Sequence, residues 1–271
     1  MNIDLSKMLE INGYLQGKLD CVDQTIRELP FDYKKRLSQR FNAIDTTQIN
    51  SKVTGKLFYV SRKMDGHFQL VFFNGKEAFM IGRNGTVRAN LPCLAELAHT
   101  LVEKKVASLI AAAELYKKKD NERSRVYDVI AALSHEQSVN TLALAVFDLI
   151  HLNGKQYQFV SYEETYNMMT NILPAAGLCH VVETEIAKSK KGISKICNNW
   201  VEIEGAEGLV IRCEMPFLYK VKPKHTFDCV VVGYTEGINE HKGKVKSLLF
   251  GLMRDEGIYQ IIGKVGTNFS E

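Results

Sequence analysis

A chain of 271 residues that is 45% hydrophobic and 24% charged can fill the core of one large domain or two smaller ones without disulfides or metals as staples. Its 35 Lys plus Arg against 31 Asp plus Glu give a net charge of +4, a mild basic excess that allows a polyanionic partner without demanding one. The six cysteines form no CxxC pair and have no histidine at zinc-ligand spacing, residues 1–20 lack the apolar stretch of a signal peptide, and nowhere do about 18 apolar residues run together. The expectation is a reduced protein of the cytoplasm, or of the nucleus in a eukaryote, with no membrane partner.

Residues 2–42 carry apolar side chains at helical spacing (Leu15, Leu19, Val22, Ile26, then Tyr33, Leu37, Phe41 after Pro30), which predicts a helical lead-in over residues 1–55. From Lys56 the pattern turns to short β runs, LFYVSR, FQLVFF and AFMIGR, broken by Asp65-Gly66, Asn74-Gly75 and Asn84-Gly85, which predicts three antiparallel strands. Helices are predicted over 91–105, 124–138, 162–172 and 190–203. Strands are predicted in ASLIAAAELY, TLALAVFDLIHL, HVVETEIA, GLVIRC and FLYKVK. Strands and helices mix without βαβ alternation, so the fold class is α+β. After Pro223, DCVVVGYTEG, KSLLFGLMR and YQIIGKVG read as three strands that begin a small β-barrel.

Neither GxxxxGK[ST] nor GxGxxG occurs, so any phosphate must be held by side chains. The first element that points to chemistry is Lys63-Met64-Asp65-Gly66, a lysine at a strand end before a turn. Gly82-Arg83-Asn84-Gly85, Ala113-Glu114-Leu115-Tyr116, Val146-Phe147-Asp148-Leu149, Glu207-Gly208-Leu209-Val210-Ile211-Arg212 and Tyr219-Lys220-Val221-Lys222-Pro223 follow in that order. Lys220 and Lys222, two apart on a strand, point to one face. Glu114 and Glu207 each adjoin an apolar run, where an unpaired carboxylate is costly.

This series closely resembles the covalent nucleotidyltransferases, the superfamily of ATP-dependent DNA ligases, RNA ligases and mRNA capping enzymes, over about residues 56–267. The resemblance implies a nucleotidyltransferase (adenylation) domain over 56–226, ATP-grasp-like, with antiparallel sheets flanked by helices, and a partial OB-fold β-barrel over 227–271. It implies an ATP-dependent DNA ligase in which Lys63 attacks the α-phosphate of ATP and carries AMP. A free lysine titrates near about 10.4, so the nucleophile needs a depressed pKa, and Lys220 and Lys222 would supply positive charge beside it while binding the α-phosphate. By the same resemblance Glu114 holds the ribose hydroxyls, Glu207 binds Mg²⁺, Phe147 stacks on adenine, Ser61 approaches the base edge, and Arg83 contacts the ribose or the 5′-phosphate of the nick. The partner implied is nicked double-stranded DNA acted on by a monomer. Lysines 188, 190, 191 and 195, and 242, 244 and 246, could track its backbone.

Two departures widen the field. The family pattern KxDGxR is here completed by His67 and Phe68, which puts in doubt the usual grip on AMP and the preference for DNA over RNA. The basic motif that closes the family's barrel does not occur before Glu271, which implies a shortened barrel or a first step run by other means. The alternatives are an RNA ligase with the same lysyl-AMP step and a non-catalytic nucleic-acid-binding module. Residues 1–55 do not resemble the tyrosine-rich module of NAD-dependent ligases, and the EGLVIR and LYKVKP segments match ligases better than GTP-using capping enzymes.

Overall fold

The computed structural model describes residues 1–120, 122–157, 161–213, 218–224, 226–239, 242–254 and 257–266. Near the N-terminus, helical spacing gives way to extended chain: β1 (Leu9–Ile11) and β2 (Tyr14–Gly17) form a hairpin about Asn12-Gly13, both at positive φ. An Asn-Gly pair suits the tight primed turn of a hairpin, and that local signal overrides the spacing of the flanking leucines, correcting the expected lead-in. Helices do follow, α1 (Gln24–Arg27) and α2 (Leu29–Arg40). Pro30 starts α2 rather than interrupting it, since a first-turn residue needs no intrahelical N–H bond. Next come β3 (Phe41–Asp45) and α3 (Ile49–Lys52).

The run read as one three-stranded meander is split. β4 (Phe58–Arg62) lies in one sheet, whereas β5 (His67–Phe73), β6 (Ala78–Gly82) and β7 (Val87–Ala89) lie in another, so Lys63 to Gly66 is the crossing between two sheets. The chain continues through α4 (Pro92–Glu103), β8 (Leu109–Lys117), α5 (Val126–Leu133), β9 (Leu142–Leu152), β10 (Lys155–Gln156) and α6 (Tyr162–Ile172). The HVVETEIA run also divides, into β11 (Cys179–Val181) and β12 (Thr184–Ala187), one strand in each sheet. Then come α7 (Lys190–Cys197), a turn of wider π-helix over 198–203, β13 (Leu209–Arg212) and β14 (Leu218–Lys222).

Among the described residues the larger sheet has nine strands in the order β1-β2-β7-β6-β5-β8-β9-β10, with β11 parallel to β9. Both of its faces are covered, which is why β5 is apolar at successive positions rather than alternately. Val71 and Phe73 pack with Leu94, Leu97 and Leu101 of α4, spaced to share one helix face, while Leu70 and Phe72 pack with Met8, Val22, Ile26 and Tyr33. The N-terminal segment is therefore a layer of the core. The smaller sheet, β12-β4-β13-β14-β3, packs Phe58, Val60, Leu209 and Ile211 against Ile193 of α7 and Trp200. Residues Met1–Pro223 make one compact unit and Lys224–Glu271 a second. In the second, β15 (Val230–Glu236), β16 (Val245–Met253) and β17 (Tyr259–Val265) form an antiparallel meander with mostly exposed side chains. Residues 267–271, the last of the expected barrel segment, lie outside the described residues.

The crossing is held by a close backbone contact. A Cβ on Gly66 would sit 2.2 Å from the Leu115 carbonyl oxygen of β8, a separation that no side chain tolerates. Gly66→Ala is expected to cost about 2 kcal/mol or more in an equilibrium denaturant titration, because neither backbone can yield without disturbing its sheet. A loss under about 0.5 kcal/mol would show that the crossing is looser than its geometry implies.

Candidate active site

A cleft of about 490 Å³ in the first unit is lined from the smaller sheet by Ser61, Lys63 and Lys220 and from the larger by Phe68, Glu114 and Phe147. Lys63 leaves the end of β4 with its backbone N–H donated to the Gly208 carbonyl at 3.0 Å. Gly208 has φ of 154° and a Cβ there would meet the Val221 carbonyl at 2.1 Å, so the glycine after Glu207 is required for the two strands to close beneath the lysine. Next to Lys63, Arg62 is paired with Glu183 at 2.6 Å and with Glu204 and lies 5.0 Å from the Trp200 ring.

The Lys63 ammonium donates to Glu207 Oε2, and Lys222 Nζ donates to Glu207 Oε1 at 2.5 Å. Burial works against ionisation of Glu207, but the hydrogen bonds from Lys222 and Lys63 outweigh it and hold the carboxyl below the usual range. Lys222 is half-exposed and reaches the site through Glu207 instead of lining the cleft. Lys220, on the same face of β14, does line it, with Nζ 3.7 Å from the centroid of the Phe41 ring. Burial lowers the Lys220 pKa, and the like charges of Lys34, Lys63 and Lys222 lower it further.

Glu114 projects from β8 directly opposite Phe68 of β5. Burial pushes its carboxyl up to about 7, against the favourable fields of Lys63 and Lys34, and the negative charges of Glu207 and Asp65 add to the rise. Phe147 Cα belongs to β9, and its ring lies 6.4 Å from Phe68 at an angle of 44°. Ser61, 1% exposed, meets Thr184 of β12 at 3.0 Å. Arg83 lies exposed beyond β6 and lines the same cleft.

Six of the expected site residues, Ser61, Lys63, Arg83, Glu114, Phe147 and Lys220, thus share one cleft, and Glu207 and Lys222 join them through ion pairs. The structure adds residues to which the motifs gave no role, two of them inside the motifs themselves. Arg212, 7% exposed, donates to Ser61 Oγ at 3.0 Å and to the Phe147 carbonyl at 3.3 Å, and its guanidinium stands 4.2 Å from the Tyr162 ring. Asp148 accepts from the Tyr33 hydroxyl of α2 at 2.7 Å; burial raises its carboxyl while Arg212 and Tyr33 oppose the rise. Both charges sit at the edge of apolar runs, GLVIR and AVFDL, and a charge in such a run is itself a signal, since burying it needs a partner. Tyr33 and Lys34 carried no comparable signal, because nothing in an amphipathic helix says which polar side chain faces a distant cleft.

A protein-family model described as the ATP-dependent DNA ligase domain matches residues 35–226. DNA ligase 1 of Methanosarcina mazei is 27% identical over 148 residues, covering 48% of this chain and 25% of that protein. DNA ligase 1 of Methanosarcina acetivorans is 23% identical over 272 residues, covering 88% and 46%. The chain spans less than half the length of these curated relatives. Two solved structures are similar in fold: a Lig E DNA ligase, 20% identical with a TM-score of 0.55 over 81% of this chain and 80% of that one, and the ligase domain of M. tuberculosis LigD, 20% identical with a TM-score of 0.50 over 85% and 73%.

Glu114 makes the site sensitive to pH. Its native value lies above the ordinary 4.5, so its ionisation destabilises the fold; the penalty begins as pH rises past that value and is complete above about 7. A shift of this size corresponds to roughly 3 kcal/mol. In thermal melts Glu114→Gln is expected to gain stability over the parent progressively between pH 5 and pH 8. A difference that stays flat with pH would mean that Glu114 is solvated and ordinary.

Proposed function

The chain belongs to the ATP-dependent DNA ligase domain family, and we propose that it is the nucleotidyltransferase core of an enzyme that carries AMP on Lys63 and uses it to seal nicks in duplex DNA. The observation that carries this reading is one cleft in which the motif lysine, a buried carboxylate, an aromatic ring and several cations converge from two sheets. Lys63 Nζ, once neutral, attacks the α-phosphorus of ATP; the N–P bond forms as the bridging P–O bond breaks, and pyrophosphate leaves with that electron pair. Lys220 in the cleft and Lys222 beside Glu207 oppose the negative charge that develops on the phosphate oxygens. A 5′-phosphate oxygen of the nick then takes the AMP phosphorus and releases Lys63. The 3′-hydroxyl finally attacks the activated 5′-phosphorus and displaces AMP.

In this scheme Phe147 stacks on the adenine and Ser61, held by Arg212, meets the base edge. Ionised Glu114 accepts the ribose hydroxyls, and Arg83 meets the ribose or the incoming 5′-phosphate. Among the described residues no group of three or more His, Cys, Asp or Glu side chains could enclose a metal. Glu207 stands as a single ionised carboxylate, which fits Mg²⁺, an ion that keeps waters and takes phosphate oxygens beside one or two carboxylates. When bound, Mg²⁺ shields phosphate charge and favours the departure of pyrophosphate. The adenylation domain is the first unit, with the N-terminal layer as part of its core, the segment over 227–271 belongs to an OB-fold barrel, and the protein acts as a monomer in the cytoplasm, or in the nucleus of a eukaryote.

Incubation with α-labelled ATP and Mg²⁺, followed by denaturing electrophoresis and adduct mapping, is expected to place the label on Lys63. Lys63→Ala should lose it by more than about a thousandfold. Absence of any label on Lys63 would sink the enzyme reading in favour of a non-catalytic nucleic-acid-binding module. Phe68, standing where the family pattern has arginine, is the observation that favours an RNA-joining enzyme. Chasing the label onto nicked DNA, nicked RNA and hybrid duplexes decides the point, with nicked DNA expected to take it fastest. The exposed lysines 188, 191, 195, 242 and 246 should make binding weaken steeply with salt, whereas a flat response would deny them a phosphate-tracking role.

A further inference from the structure

Helix α2 supplies the cleft with a cation that the motif residues do not account for. Lys34 is half-buried, lines the cleft, and makes no hydrogen bond or ion pair among the described residues; its Nζ lies 5.4 Å from the centroid of the Phe68 ring. Its placement follows from its neighbour. Tyr33 stacks on Phe68 with centroids 5.7 Å apart and planes 5° from parallel, and its hydroxyl is bonded to Asp148, so α2 is pinned to both β5 and β9. Lys34 projects about 100° further round the helix, and that direction is the cleft.

The charges around it are unbalanced. Burial, with the like charges of Arg83 and Lys63, holds Lys34 below the ordinary lysine value against the pull of Glu114. Lys220 is in the same condition, against the ring of Phe41 and with no carboxylate bonded to it among the described residues. Of the nearby carboxylates, Glu207 is already shared by Lys63 and Lys222, and Glu114 is held towards its neutral form by burial. An aromatic face compensates a partly desolvated ammonium only in part. Two such groups facing one cleft therefore carry a cost that a bound anion removes. Phe68 brings no charge to its position, and the ammonium over its ring does.

We propose that Lys34 is a phosphate-binding residue of this cleft, acting beside Arg83 and Lys220 on a phosphate group of a bound substrate. The inference rests on the ligase reading for the substrate, whose phosphate belongs either to ATP or to the 5′-end of the strand to be joined.

The test uses the whole chain with Lys34→Met, which keeps an unbranched stem in the helix, and Lys34→Arg, which keeps the charge. Affinity is measured for ATP with Mg²⁺ and for a nicked DNA duplex carrying either a 5′-phosphate or a 5′-hydroxyl. Lys34→Met is expected to weaken one of these by about tenfold or more, the size of one lost charge-assisted hydrogen bond, and Lys34→Arg to restore most of it. Weaker ATP binding assigns the contact to the nucleotide. Lost preference for the 5′-phosphate over the 5′-hydroxyl assigns it to the strand. Affinities all within about twofold of the parent, or an arginine variant as impaired as the methionine one, would overturn the proposal. Failure of the ligase reading shows itself separately, as the absence of label on Lys63 in the unaltered protein.

Discussion

The backbone of Gly66 runs against the carbonyl of Leu115, and that of Gly208 against the carbonyl of Val221, both closer than any Cβ would permit. The first extends the β5–β8 pairing of the larger sheet and the second the β13–β14 pairing of the smaller one, one on each side of the crossing. Lys63 starts the crossing from β4 to β5, three residues before Gly66, with its own N–H taken by the Gly208 carbonyl. A lysine on an ordinary hairpin would sweep a large volume of solvent. Here it emerges from the crossing between two packed layers, so its direction is set by main-chain contacts that a side-chain change elsewhere does not relax. Glu114 is adjacent to Leu115 and Glu207 to Gly208, so the two carboxylates of the site are delivered by the same contacts.

Around that crossing the electrostatics run on few negative charges. Glu207 answers two lysines, which keeps it ionised despite burial, whereas Glu114, bonded to no cation among the described residues and largely out of water, is pushed up to about 7. The difference comes from hydrogen bonding rather than depth alone, since each accepted N–H favours the charged form directly. Two further cations, Lys34 and Lys220, rest on the aromatic faces of Phe68 and Phe41. Such a cleft suits a polyanion bearing an aromatic base, the chemistry of the family to which the chain belongs.

The second charged group of the site is held just as firmly, though by different means. Arg212 ties the strand that follows Glu207 to Ser61 and to the Phe147 carbonyl, and Tyr162 and Tyr33 complete a buried polar network with Asp148. Because every member has a partner, the network orients the Phe147 ring without leaving a buried charge exposed to apolar surroundings. It also couples α2 to β9, which makes the N-terminal layer a wall of the cleft as well as a cover for the sheet.

What the sequence by itself determined is the set of candidate site residues and most of the elements. An ordered set of short motifs, each at a strand end or in an apolar run, named Lys63, Glu114, Phe147, Glu207, Lys220 and their companions, and the structure brings them together. It also carried signals that spacing alone obscured, as at Asn12-Gly13, whose hairpin displaced the helix expected there. Only the tertiary structure decided that β4 and β5 part into different sheets, that residues before Lys56 cover one face of the larger sheet, and that Lys34 and Tyr33 reach the site. The reason is physical. Strand and helix periodicity records whether a side chain is buried, but not which layer buries it, and which layers meet is settled by contacts between residues far apart in the chain.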